Sequence, residues 1–299
     1  MGGGTALSLG FWGSFATAVY FDESFSVFVL GIFTTVTATS VARNLHRRSN
    51  LYKAGLYVAI VNIIFTLILY IFNQPELPIL GKQLLCSILS AAISTGLTLL
   101  LIPLFEKIFS ITTDITLLEL SDMGHPLLQK MAIQAPGTYH HSLMVATLSQ
   151  NAAEAIKANS LLVRVCAYYH DIGKMQKSEY FIENQFGGDN KHNKITATMS
   201  ARIIRAHVKE GLQLAKQYGL PKIVSDFIPM HHGTTRVEYF YRMALKQAEQ
   251  DKTAVDESAF RYPGPKPNTK ETGILMLCEA IEAAVRSIKE PDILKIETM

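Results

Sequence analysis

The sequence predicts an all-α protein in two parts: a helical transmembrane bundle followed by an all-helical soluble domain. Three observations carry this. First, charge is unevenly spread. Only Asp22, Glu23 and Glu76 are acidic in residues 1–104, whereas eight of the nine histidines and most charged residues come later. Second, the early part holds long apolar runs, and the 48% hydrophobic and 18% charged composition departs from the roughly 25% charge of a typical soluble domain. Third, from residue 125 onward apolar residues recur at helical spacing, with no convincing alternation of the strand kind.

Taken in order, residues 54–73 and 83–104 each supply the roughly 20 apolar residues that a spanning helix needs. Segments 5–21 and 25–41 are weaker, giving about four spans over 1–104. A signal peptide is the competing reading of the first, but no basic stretch precedes it and no Ala-x-Ala site closes it. Loop 42–53 carries Arg43, Arg47, Arg48 and Lys53, whereas loop 74–82 carries only Lys82. The positive-inside rule then places the first loop, and everything after the last span, in the cytoplasm. Residues 105–131 alternate apolar and polar at helical spacing, with a cap candidate at Thr113-Asp114, and read as a helical connector. Residues 132–299 form the soluble domain.

Helices are predicted over 125–133, 139–158, 161–170, 194–210, 212–218, 221–230, 235–250 and 271–288. Breakers stand at Ala135-Pro136-Gly137, Gly173, Gly187-Gly188, Gly219, Gly233 and the run 262–270. The three cysteines, Cys86, Cys166 and Cys278, are far apart in apolar runs, without disulfide or zinc spacing. A net charge of +3 gives no case for a nucleic-acid polymer as partner.

Polar residues interrupt the apolar faces of these helices. They are His141, the adjacent pair His170-Asp171, His207, the pair His231-His232, and Glu279. A single helical histidine is ordinarily a surface or satisfied core residue. Several histidines with two carboxylates and no thiolate suit a borderline transition metal such as manganese, iron or zinc, and disfavour a cysteine-rich structural zinc. A carboxylate can bridge two metals while the imidazole beside it ligates one, and paired metals are the arrangement used for phosphoester hydrolysis.

Five words, "YHHS" (139–142), "YHDIGK" (169–174), "FIENQ" (181–185), "HHGT" (231–234) and "RYPGPKPNTKET" (261–272), together resemble the seven-transmembrane HD-domain family, membrane-bound cyclic di-AMP phosphodiesterases of bacteria. The resemblance runs from about residue 54 to 288. It implies an HD-type metal-dependent phosphohydrolase domain holding two divalent transition metals, manganese or iron. By motif position, it implies His141, His170, Asp171, His207, His231, His232 and Glu279 as ligands, with Asp171 bridging. The last ligand departs from the family: Met276-Leu277-Cys278-Glu279 replaces a word ending in Asp. The chain offers about four spans and no extracellular sensor, so it is expected to be the C-terminal part of such a protein or a shortened homologue.

The implied activity is hydrolysis of cyclic di-AMP to linear pApA in the inner (cell) membrane, with the HD domain cytoplasmic. Lys174, three residues after Asp171, is placed either against a substrate phosphate or as a surface lysine beside a turn. Arg286 pairs with Glu282 as a helical salt bridge. His140 is second to His141 or on the surface, and His192 is expected to be solvated in a polar loop. Asn184 and Gln185 are placed either against a base or in a loop. A homodimer is an allowed assembly. Two alternatives stay open: a metal- and nucleotide-binding signalling receptor without turnover, and an HD hydrolase of another nucleotide. A cyclic di-GMP enzyme is disfavoured because no Gly-Tyr-Pro word follows the paired histidines. A transporter is disfavoured because the two clear spans lack a central charge.

Overall fold

The computed structural model of the chain describes residues 2–21, 25–42, 48–74, 76–185 and 190–287. It divides into two compact units, Met1–Ile115 and Thr116–Met299. Among the described residues the first holds α1 Gly2–Tyr20, α2 Phe25–Ala42, α3 Arg48–Asn73 and α4 Leu77–Phe109, each packed on the next in chain order. Two stretches are long and apolar enough to cross a membrane, Asn50–Asn73 and Leu77–Phe109, while Phe25–Val41 is apolar but shorter. Only 6% of each spanning window is buried. Ile71 and Leu100 point outward with many others, which a water-facing core helix would not tolerate. Small polar side chains turn inward instead. Thr34 donates to Asn62 Oδ1 (3.0 Å), and the Thr66 and Ser87 hydroxyls meet at 3.1 Å, so α2, α3 and α4 share hydrogen bonds. Of the basic loop, Arg43 and Arg47 lie outside the described residues.

The second unit is built from α5 Asp114–Leu120, α6 Pro126–Gln134, α7 Pro136–Ala155, α8 Ser160–Tyr169, α9 Ala197–Gln217, α10 Lys222–Ser225, α11 Phe227–Met230, α12 Glu238–Asp251 and α13 Lys270–Ser287. Among the described residues there are no strands, and the sole extended pairing is an isolated bridge between Arg236 and Arg261. α8 is the central rod. Asn159 caps it by accepting from Leu162 N (2.9 Å), a contact worth about 1 kcal/mol. Val163, Val165 and Cys166 are fully buried in it, each aliphatic side chain contributing about 1.5–3 kcal/mol. α7 and α13 pack against α8, and Leu117, Leu120, Leu127, Leu128 and Met131 from α5 and α6 join the same core.

Four expectations are revised. Residues 194–210 and 212–218 form one helix, α9, which runs through Gly211. That glycine is there for contact and not as a break: a Cβ on Gly173 would lie 2.5 Å from Gly211 N, so the turn after Asp171 is pressed onto the α9 backbone. α7 starts at Pro136, because proline is well suited to the first helical turn. The expected helix 221–230 is two short turns, α10 and α11. His192 is buried, not solvated. Its Nε2 lies 2.8 Å from Tyr180 O and its ring packs on Phe240, because Asn190 caps a 3-10 turn over Lys191–Lys194 that tucks the imidazole inward. The break expected at Gly187-Gly188 lies outside the described residues.

Candidate metal centre

The sequence-predicted residues come from five places in the chain and meet at one point. His141 lies on α7, and His170 and Asp171 end α8. His207 lies on α9, His231 and His232 follow α11, and Glu279 lies on α13. They fall into two groups whose candidate ligand atoms lie within 4.8 Å of one another: His141, His170, Asp171 and Glu279, and separately His207, His231 and His232. Asp171 joins the groups. Its Oδ2 is 3.2 Å from His170 Nε2 and 3.6 Å from His141 Nε2. Its Oδ1 is 3.5 Å from both His207 Nε2 and His231 Nε2. Glu279 Oε2 sits 2.7 Å from His170 Nε2 and 3.4 Å from His141 Nε2, so this side chain reaches the cluster.

Several ring nitrogens are already oriented. Nδ1 of His170 and of His207 each lie 2.6 Å from the backbone carbonyl three residues earlier, Ala167 O and Ile204 O. That leaves their Nε2 atoms facing the cluster. His232 stacks on Tyr262, with centroids 4.1 Å apart and planes at 22°. The Tyr262 amide in turn donates to Thr235 O (2.9 Å) and Arg261 Nη1 donates to Thr234 O (3.0 Å), fastening "RYPGPKPNTKET" to the end of "HHGT" and the residue after it.

Lys174 is buried, which excludes the surface-lysine reading. Its Nζ lies 2.6 Å from Asp171 Oδ2 and 2.9 Å from Glu183 Oε1. Glu183 also accepts from Thr138 Oγ1 (3.1 Å), and Asn184 Oδ1 accepts from Thr138 N (3.1 Å). "FIENQ" is therefore a latch on the start of α7, three residues before His141, and Asn184 is engaged there. Gln185 donates to Glu179 O (3.1 Å). His140 is exposed.

Burial would raise the Asp171 carboxyl, but the charges of Lys174 and His170 override it and hold it well below the usual carboxylate range. Burial would likewise raise Glu279, but the His170 charge holds it far down. Burial would lower His170, yet the charges of Asp171 and Glu279 push it up to about 10. His207 goes the other way, to about 4, because burial dominates the attraction of Asp171. The two carboxylates of one half therefore raise the imidazoles beside them, whereas His207 and His232 on the other half are lowered, chiefly by burial.

The donor set fits metals. Both Asp171 oxygens and His170 Nε2 are buried without a properly angled hydrogen bond, although Lys174 supplies charge nearby. Neutral imidazoles and ionised carboxylates are the donors that borderline transition ions take, and the three cysteines are free and outside both groups. Sequence reasoning gave Glu183 and Tyr262 no role in this neighbourhood and gave Glu282 only as the partner of Arg286. Glu282 had a signal, since it stands three residues after Glu279 on one helix face.

Comparison with known proteins finds relatives of both parts of the chain. A family model described as a 7TM receptor with intracellular HD hydrolase matches residues 1–113, and an HD-domain model matches residues 138–284. The crystal structure of the HD domain of the Listeria monocytogenes phosphodiesterase PgpH is 47% identical, with a TM-score of 0.55, covering 58% of this chain and 80% of that one. The chain belongs to the seven-transmembrane HD-domain family. A second structure of that Listeria domain, in complex with cyclic di-AMP, matches at the same identity and TM-score. The cyclic-di-AMP phosphodiesterase PgpH of Bacillus subtilis is 41% identical over 277 residues, covering 91% of this HD-domain chain and 38% of the relative. The Listeria PgpH sequence is 40% identical over 281 residues, also covering 38% of the relative. The chain thus spans well under half the length of these relatives. The family match begins at residue 1, so the likeness extends upstream of residue 54, where the motif words had placed its start.

Proposed function

We propose that this chain is a metal-dependent phosphodiesterase that hydrolyses cyclic di-AMP to linear pApA. One observation carries the chemistry: a single buried carboxylate, Asp171, turns one oxygen to His141, His170 and Glu279 and the other to His207 and His231. His141, His170, Asp171 and Glu279 would hold one divalent ion, and Asp171, His207, His231 and His232 the other, with manganese or iron as the favoured metals. When bound, such a pair supplies a water of lowered pKa and positive charge for the phosphodiester oxygens.

The chain's own residues do the rest. Asp171 stays ionised at all working pH values because Lys174 and His170 hold it so. Lys174 keeps an ammonium beside the carboxylate, in place to meet a phosphate oxygen or the leaving 3′ oxygen as a point charge. Glu183 fixes that ammonium from the far side. Burial of the cluster excludes bulk water and strengthens each electrostatic contact. Cyclic di-AMP as the substrate is supported by the names of the Bacillus and Listeria relatives and by the cyclic di-AMP complex of the Listeria domain.

The same proposal sets residues 1–104 as the membrane part with about four spans, 105–131 as the connector and 132–299 as the HD domain on the cytoplasmic side. The test is turnover. The whole chain in detergent, loaded with manganese or ferrous iron, is given cyclic di-AMP and cyclic di-GMP separately, and products are separated by chromatography. Linear pApA from the parent, lost in His170→Ala, is the expected result. Tight nucleotide binding without turnover, with turnover restored by Glu279→Asp, would instead make the chain a receptor.

A further inference from the structure

We propose that Glu282 is a positioning residue for this centre: it accepts the Nδ1–H of His141 and so aims the Nε2 lone pair of that ring at the carboxylate-rich metal position. The inference rests on the two-metal reading above.

His141 differs from His170 and His207. Those two satisfy Nδ1 with the carbonyl three residues earlier, whereas His141 Nδ1 turns away from its own helix, α7, toward α13. Two groups of α13 stand 2.8 Å from it, Glu282 Oε2 and Arg286 Nη2. Only one can pair with the ring as a ligand. An imidazole that coordinates through Nε2 keeps its hydrogen on Nδ1, and a guanidinium has no acceptor for it. The carboxylate does. Arg286 then serves Glu282, donating from Nε to Oε1 (3.1 Å), with Nη2 in close contact with the same oxygen.

A plain surface ion pair explains less. Among the described residues Glu282 Oε2 is buried 2.8 Å from this Nδ1 without a properly angled hydrogen bond, so the ring nitrogen is the donor within its reach, while the Glu282 side chain is 13% exposed against 37% for Arg286. Exposed pairs at this spacing are worth about 0.3–0.5 kcal/mol and would not draw a carboxylate oxygen into the protein. The spacing on α13 has a consequence. Glu279 faces His141 Nε2 and Glu282, one turn on, faces Nδ1. One helix thus holds both ends of the ring. Carboxylates that orient a ligating histidine commonly change metal affinity about 10–100-fold when removed.

The experiment is equilibrium binding of manganese to the whole chain in detergent, using Glu282→Ala and the near-isosteric Glu282→Gln, with thermal melting as a fold check. The parent is expected to bind two ions. Glu282→Ala should weaken one of them about 10–100-fold and leave the other within twofold. Glu282→Gln, which can still accept from Nδ1–H but lacks the charge, should fall between parent and alanine. Parent-like affinity at both positions in both variants overturns the proposal. So does equal weakening of both positions in Glu282→Gln, which would mark general loosening of the domain. Two ions in the parent with unchanged variants would sink the Glu282 role alone; no bound ion in the parent would sink the two-metal reading with it.

Discussion

Gly173 offers the sharpest perturbation. It follows Asp171 by two residues and lies against the α9 backbone at His207 and Gly211. A Cβ there would stand 2.5 Å from Gly211 N and 2.8 Å from His207 C, with His207 O nearer still. All three are backbone atoms, so no side chain can swing aside. Restoring van der Waals separation of about 3.5 Å asks α9 to retreat by roughly 1–1.5 Å. Overpacking of that kind costs about 1–3 kcal/mol, or a melting temperature lower by about 2–12 °C for a domain of this size. His207 rides on the displaced backbone, and its Nε2 is 3.5 Å from Asp171 Oδ1 at present. Metal sites tolerate only about 0.2 Å in ligand distance, and misplacement by 1 Å can cost about 100-fold in rate. Gly173→Ala should therefore melt lower, bind the ion on the three-histidine side poorly and lose about 100-fold in turnover. Melting curves, metal content and product chromatography read these three effects. A variant with the parent's melting temperature and full metal content would show that the close approach does not position the centre.

Other outcomes follow from the same charges. Lys174→Met leaves Asp171 and Glu183 without their buried cation, a loss of about 3–5 kcal/mol; the drop in melting temperature should be larger in chelator than in manganese, and equal drops would count against the network. Without metal, the raised His170 contributes stability that is complete below pH 6.5 and fades as pH rises toward 10, whereas the lowered His207 contributes above pH 6.5 and fades as pH falls toward 4. Melting in chelator should thus peak near pH 6.5, and a steady rise from pH 6.5 to 9 would contradict the assignments. Manganese at about 100 times its dissociation constant should add about 2.7 kcal/mol, and a chelator-insensitive melting temperature would argue against a metal centre.

Much of this architecture was legible because its signals are local. Apolar runs announced α3 and α4, and the interruption of an apolar face by His170-Asp171 marked the centre before any geometry was known. Gly211 misled because a glycine in a helix looks the same whether it ends the helix or lets another backbone approach; the partner, Gly173, lies 38 residues away in sequence. His192 misled for a related reason. Its polar neighbours suggested solvent, but the covering ring comes from Phe240 on a later helix. Lys174 was ambiguous because nothing in "HDIGK" tells that Glu183 closes over it. Glu282 was visible as a partner for Arg286, but its second oxygen, aimed at a residue of α7, has no trace in a one-dimensional pattern.

The residue just before His170 has a consequence of its own. The Tyr169 hydroxyl donates to Leu120 O (2.7 Å), at the end of α5, and the ring is fully buried. Burial pushes the phenol well above its ordinary value, so the donor keeps its proton throughout any physiological range. The result is a strut with no chemical off-switch. A pull on the end of α5 must stretch or break it, or else shift the peptide that carries His170. Rigidity gained at that histidine is shared, through one oxygen and one hydrogen, with the start of the domain.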